Sequence, residues 1–245
     1  MDPILSAEHI YKSFDGNKVL EDTSLTLYKG EIVSLLGVSG SGKTTLFNIL
    51  SGIYEPDSGS VFLNGSDITG KPGSVSYMLQ KDLLFPYRRV IDNVCLPLLI
   101  GGMKKKDARA KADPLFETFG LEGTQMQYPD QLSGGMRQRA ALLRTYLASH
   151  GVALLDEPFS ALDTITKSAI HKWYLDIMQK IELSTVFITH DIDEAILLSD
   201  RVYILSGGTI KEELAIEVPK PRSADFNLTG EFLMYKRRIV GSLHL

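Results

Sequence analysis

The sequence has a single cysteine, Cys95, among 245 residues, which excludes an internal disulfide framework and any cysteine-rich metal site. That usage fits a reducing compartment, and the thiol reads as a small core group. Basic charge is not in excess either. The formal net charge is −4, so there is no general cationic surface for a nucleic-acid backbone, and no nucleic-acid partner is expected. Long apolar runs are missing: the most prominent, Val94 to Ile100, is far short of the roughly 20 residues that span a bilayer. The chain is therefore not expected to cross a membrane itself. Met1-Asp2-Pro3-Ile4-Leu5 shows no basic segment leading into an apolar one, and no secretory leader is expected. With 44% hydrophobic and 23% charged residues, the composition gives no sign of disorder and suits one large domain or two lobes.

What is present starts with Gly37-Val38-Ser39-Gly40-Ser41-Gly42-Lys43-Thr44, a full match to G-x-x-x-x-G-K-[ST]. The apolar run Glu31 to Leu36 precedes it and the helix-like Thr44-Thr45-Leu46-Phe47-Asn48-Ile49-Leu50 follows. A buried strand, a glycine-rich turn and a helix start aim backbone N–H groups and a helix dipole at one spot, a phosphate site. Lys43 supplies positive charge to the β- and γ-phosphates, and the Thr44 hydroxyl suits Mg²⁺.

Around this motif the patterning alternates. Ile4 to Ile10 and Thr23 to Tyr28 read as strands of a small β lobe. Phe14 falls in the turn between them, placed either to stack on a purine or to serve as a satellite core aromatic. Ser60 to Asn64 reads as an edge strand before a turn, and Ser74 to Leu79 as the next strand, ending at Gln80. Val90 to Ile100, Lys104 to Phe119 and Gly134 to Ser149 read as helices, so residues of about 85 to 150 form a helical lobe inserted into an α/β core. Lys104-Lys105-Lys106 is most simply a solvated helix start. Val152 to Leu155, Ser184 to Thr189 and Arg201 to Leu205 read as strands, with helices over Asp163 to Ile181 and Asp193 to Leu198. The tail, Val218 to Arg222 and Thr229 to Val240, reads as a linker and an amphipathic helix offering Phe232, Leu233 and Ile239 for packing. The fold class is α/β: a P-loop NTPase core with a mainly parallel sheet, an N-terminal antiparallel β lobe (with the core, 1–84 and 151–217), a helical lobe (85–150) and a C-terminal linker and helix (218–245), all in one domain.

Parallel sheets hold ligands at the carboxyl ends of their strands. The glycine turn, Gln80, Asp156-Glu157 and His190 all fall at such ends. Asp156 can complete a Mg²⁺ shell with Thr44, and Glu157 can polarise a water for attack on the γ-phosphate. Gln80 can offer its carbonyl oxygen to the metal and its amide to that water, while His190 can hydrogen-bond the γ-phosphate or the water. A second anion-binding helix start lies at Leu132-Ser133-Gly134-Gly135-Met136-Arg137-Gln138-Arg139.

With that segment placed after the glycine turn and before Asp156-Glu157, the chain resembles the ATP-binding cassette (ABC) transporter ATPases over nearly all of residues 4 to 215. The resemblance makes Gly37, Val38, Ser39, Gly40, Ser41, Gly42, Lys43, Thr44 and Thr45 the ATP-binding Walker A loop, and Gln80 the Q-loop glutamine. It makes Leu132 to Arg139 the signature, whose Ser133, Gly134 and Gly135 contact ATP held by another subunit. Val152 to Asp156 becomes the Walker B strand, Glu157 the catalytic base, Ser160-Ala161-Leu162-Asp163 the D-loop and His190 the switch histidine. Phe14 falls where the family places an adenine-stacking aromatic. Val38 stands where many relatives have proline, and Met136 where many have glutamine.

Tyr77 to Asn93, Leu142 to Tyr146 and Ile188 to Ala195 further resemble the importers of nitrate, sulfonates, taurine and thiamine precursors. This implies a head-to-tail homodimer on ATP, an integral-membrane permease as partner, an extracytoplasmic solute-binding protein acting indirectly, and a peripheral place on the cytoplasmic face of the membrane. Leu83 to Tyr87 is then either the groove floor for a permease helix or ordinary packing between lobes. An ABC-type ATPase acting on a soluble assembly partner is the alternative. A P-loop kinase or GTPase is disfavoured, because no Asn-Lys-x-Asp motif occurs.

Overall fold

The computed structural model describes residues 2–160, 164–220, 222–223 and 225–243, the side chains of 164–166 excepted. Of the expected Ser160 to Asp163 segment, Ala161, Leu162 and Asp163 thus lie outside the described residues.

The chain is α/β, built on two sheets. An antiparallel sheet has the order β2-β1-β4-β5, from β1 (Leu5–Phe14), β2 (Asn17–Leu27), β4 (Ser58–Leu63) and β5 (Ser66–Asp67). A six-stranded sheet has the order β10-β9-β3-β8-β7-β6, from β3 (Ile32–Leu36), β6 (Ser76–Met78), β7 (Val152–Asp156), β8 (Ser184–Thr189), β9 (Arg201–Ser206) and β10 (Thr209–Ala215). All its pairings are parallel except β9 with β10. Strands β3, β7 and β8 are inner strands, buried on both faces, which is why β3 and β7 read as apolar runs.

The helices are α1 (Lys43–Leu50), α2 (Val90–Val94), α3 (Leu96–Ile100), α4 (Lys105–Thr118), α5 (Gly134–Ala148), α6 (Thr164–Ile181), α7 (Ile192–Leu198) and α8 (Gly230–Ser242). One core holds Phe116, Phe119 and Leu143 of the helical segment against Tyr174 and Phe187. A second lies around Leu25, Leu35, Phe47 and Val186, where the antiparallel sheet covers the larger one. The third seats Phe232 and Ile239 of α8 on Ile196, Val202 and Ile204, so the tail helix packs on its own chain, with Leu233 left exposed. No helix among the described residues is long and apolar enough to cross a membrane.

Two local expectations are corrected, and one strand is added. The predicted helix Val90 to Ile100 is two short helices meeting at Cys95, because Pro97 has no N–H to continue the ladder. Strand β4 is an inner strand: the turn at Asn64-Gly65 folds Ser66-Asp67 back onto it. Strand β10, an edge strand rich in polar residues, had no apolar run to announce it. Cys95 is fully buried, and burial pushes its thiol up to about 11.

Candidate functional site

Strand β3 carries the chain to Gly37, where a Cβ would run into the backbone carbonyl of Leu205 on β9. The turn leaves Val38, Ser39 and Gly40 exposed and returns through buried Ser41 and Gly42. Gly42 caps α1 in the left-handed region, φ 104°, and a Cβ there would meet Leu20 Cδ2 at 2.8 Å and the Val19 carbonyl at 2.9 Å. Only glycine fits both constraints. No side chain caps α1, so its first-turn N–H groups remain for a ligand.

Lys43 is buried. Its Nζ donates to the carbonyls of Gly37 at 2.7 Å and Val38 at 2.8 Å, folding the lysine back over its own loop. Burial pulls its pKa down, against the opposing pull of Glu157 and Asp156. This ammonium is loosely balanced and well suited to an incoming phosphate.

Two acids end β7. Asp156 receives Tyr77 Oη at 3.4 Å on Oδ2. Burial and the neighbouring Glu157 push its pKa up, while Tyr77 and Lys43 pull the other way. Glu157 sits at φ 45°, an uncommon left-handed conformation for a residue with a Cβ, stabilised by its N–H donating to Ile188 O at 3.1 Å. Both its carboxylate oxygens are engaged: Gln80 Nε2 donates to Oε2 at 2.8 Å, and His190 Nδ1 lies 3.2 Å from Oε1. The ends of β6, β7 and β8 thus bring Gln80, Glu157 and His190 into one hydrogen-bonded group.

A 520 Å³ cavity over the glycine turn is lined by Ser39, Gly40, Gly42, Lys43, Thr44, Thr45, Glu157 and His190, with Val19 and Ile188 as apolar walls. It joins basic, hydroxyl and acidic groups over one helix start, a setting for a polyphosphate and an attacking water. Phe14 does not line it. That ring, at the end of β1, meets Tyr54 edge-on at 5.7 Å and lies under Lys12 Nζ at 5.3 Å. Ser133, Gly134 and Gly135 do not line it either. Ser133 caps α5, accepting from Met136 N at 3.3 Å, and Gly134 faces a neighbouring 700 Å³ cavity with Gln80, Asp82, Arg137, Glu157, Ser160 and His190.

Val19, Ile188 and Tyr77 enter the site with no motif of their own to announce them. Apolar walls carry no motif. Tyr77, in contrast, lies on β6 three residues before Gln80, which follows the strand, and its Oη reaches Asp156 at the end of the adjacent β7.

The fit to Mg²⁺ rests on the donor set. The Thr44 hydroxyl, the Asp156 carboxylate and the Gln80 side-chain carbonyl are all oxygen donors, as a hard divalent cation requires. Asp156, disfavoured as an anion by burial and by Glu157, is a charge that such a cation relieves.

The family described as ABC transporter matches residues 20–160. The formylaminopyrimidine import ATP-binding protein ThiZ of Halalkalibacterium halodurans is 42% identical over 217 residues, covering 88% of this chain and 85% of that protein. The aliphatic sulfonates import ATP-binding protein SsuB 1 of Shouchella clausii is 38% identical, covering 97% and 92%. Among solved structures, the dimeric post-hydrolysis state of the ATP-binding cassette MJ0796 bound to ADP and Pi superposes with a TM-score of 0.74 at 27% identity, covering 88% of this chain and 100% of that one. The cbiO1 protein of Clostridium perfringens shares the fold with a TM-score of 0.82 at 24% identity, covering 98% and 100%.

Proposed function

Because the chain belongs to the ABC transporter family and is an ATPase, we propose that it is the nucleotide-hydrolysing subunit of an importer, closing head to tail with a second copy on two ATP molecules. The observation that carries this reading is the split of the anion-binding elements. The glycine turn, Lys43, Glu157 and His190 share one cavity, while the Ser133 to Gly135 helix start lies outside it. A second chain supplies that helix start to each ATP.

In the closed site the α1 N-terminus and Lys43 hold the β- and γ-phosphates. Glu157 accepts the proton of a water whose oxygen attacks the γ-phosphorus, and the bond to the bridging oxygen breaks to release ADP and phosphate. His190 orients that water or the γ-phosphate, and Gln80, now hydrogen-bonded to Glu157, turns toward the reacting groups on closure. Thr44, Asp156 and Gln80 would hold Mg²⁺, which when bound neutralises charge on the phosphate oxygens. Phe14 stacks on the adenine once nucleotide is bound.

The import ATP-binding relatives support a permease partner. So does the loop after Gln80: Leu83 is 52%, Phe85 40% and Tyr87 71% exposed, and Asn93 holds the backbone of Phe85 in place with bonds of 2.6 and 3.1 Å. We read this apolar, pinned surface as the seat of a short permease helix, with the chain peripheral on the cytoplasmic face of the membrane. The test is to purify Glu157→Gln with ATP from its native membranes after crosslinking. Recovery of a dimer with a multi-helix membrane protein is the expected result; recovery of soluble partners alone would overturn the importer reading.

A further inference from the structure

We infer that Glu194 on α7, with Thr189, His171 and Lys167, forms a positioning network that fixes His190 against Glu157. The inference rests on reading Glu157 and His190 as the hydrolytic pair.

His190 has a side chain 65% exposed. An imidazole so exposed keeps its rotamers open, so its aim depends on the backbone on either side. That backbone is held on both flanks. Thr189, 2% exposed, donates from Oγ1 to Glu194 Oε2 at 2.5 Å and accepts from Asp191 N at 3.0 Å. Asp191 caps α7 through Oδ1, accepting from Asp193 N at 2.9 Å and Glu194 N at 3.2 Å, and its Oδ2 receives Lys167 Nζ at 2.9 Å. Lys167 also lies 2.5 Å from Glu194 Oε1, and His171 Nε2 approaches the same oxygen at 3.4 Å.

The second arm reaches the other partner. The His171 ring meets Phe159 edge-on at 4.8 Å, and Phe159 follows Glu157 by two residues in the same tight loop. The chain of contacts runs Glu157, Pro158, Phe159, His171, Glu194, Thr189, His190 and closes on the Glu157–His190 hydrogen bond. Glu194 is 4% exposed. Burial acts to raise its pKa, but Thr189, Lys167 and His171 together outweigh it and hold the carboxyl low: Thr189 donates a hydrogen bond to Oε2 and Lys167 pairs with Oε1 as an ion, while His171 lies beside Oε1 outside hydrogen-bond geometry. A helix seat alone does not need this: apolar residues of similar volume would pack α6 on α7 without burying a charge. An ionised hub, hydrogen-bonded to Thr189 and ion-paired to Lys167, instead fixes orientation.

The experiment compares the full chain with Thr189→Val, Thr189→Ser, Glu194→Ala, Glu157→Gln and His190→Ala. It measures kcat, KM for ATP, equilibrium ATP binding, thermal melting and the nitrogen NMR resonance of His190 Nδ1. Thr189→Val and Glu194→Ala are expected to lower kcat roughly 100-fold, as small misplacements of reacting groups do. KM and ATP affinity should stay within about twofold, and the His190 Nδ1 resonance should lose its hydrogen-bonded shift. Thr189→Ser, which restores the hydroxyl, should recover most of the rate. Should Glu194→Ala fail to fold, the near-isosteric Thr189→Val carries the test. A folded Thr189→Val with parental kcat, an unmoved His190 resonance or no rescue by serine would overturn the network while Glu157→Gln remains inactive. Parental turnover in Glu157→Gln or His190→Ala would overturn instead the hydrolytic reading beneath it.

Discussion

Helices α1 and α5 both begin on glycine-bearing turns, yet their first turns are completed differently. At α1 the cap is Gly42 in the left-handed region, with no side-chain acceptor, and the turn is wedged by Gly37 against Leu205 and by Gly42 against Val19 and Leu20. At α5 the cap is Ser133, extended at φ −64° and ψ 162°, with its own Oγ accepting from Met136 N. The first turn is rigid but unfinished, so a ligand must complete it. The second has its Met136 N–H met by its own serine and lies toward the surface, with Ser133 exposed, Gly134 half-buried and Gly135 buried. The two helix starts thus differ in what completes them, which is the difference on which the proposed two-chain site rests.

Gly37→Ala should break this contrast most severely. The added methyl meets a backbone carbonyl that cannot yield, so ATP binding should fall below detection by titration calorimetry, with the melting midpoint lowered by roughly 5 °C. Retained binding would show that the turn is not wedged. Lys43→Met should come next: it removes the charge and both loop bonds, and ATP affinity should drop about 100-fold, close to 2.7 kcal/mol, in a fluorescent-nucleotide assay.

Asp156→Asn should act in opposite directions on the two states. The folded carboxyl has a raised pKa, so the acid form is the one the fold favours. That stabilisation is complete below the ordinary carboxylate pKa of about 4 and is lost as pH rises through the folded value. Asparagine lacks the charge, so the nucleotide-free chain should melt a few degrees higher at pH near 7, an advantage that fades toward pH about 4, while Mg²⁺-dependent ATP binding weakens. An unchanged pH dependence of melting would contradict the charge burden at β7. The smallest effect belongs to Ser133→Ala. Loss of the cap should cost about 1 kcal/mol and roughly 3 °C in melting without changing ATP binding to the single chain; weaker single-chain binding would mean that α5 reaches ATP in its own subunit.

Much of this was legible because the informative signals are local. The β3-turn-α1 unit follows from eight consecutive residues, and β7 shows itself as an apolar run. The junction at Cys95, the inner place of β4 and the polar strand β10 were not, since each depends on a proline's missing donor, a two-residue partner or an edge position rather than on periodicity. Within the site, strand-end logic pointed to Gln80, Glu157 and His190 together. It could not show that Gln80 spends its amide on Glu157, or that the surroundings of His190 are tied through Glu194 to α6. Those bonds join residues up to 77 positions apart, and no spacing rule encodes them.

The most direct test of the central claim is complementation between two defective chains. Lys43→Met carries an intact α5 start and Ser133→Arg an intact glycine turn, so neither should form an ATP-dependent dimer alone in the Glu157→Gln background. Mixed, a head-to-tail pair has one whole site built from the good halves, and sedimentation with ATP should show a heterodimer holding a single nucleotide in that site. If the mixture stays monomeric, or if Ser133→Arg alone loses ATP binding, the two helix starts serve the same chain and the composite site is wrong.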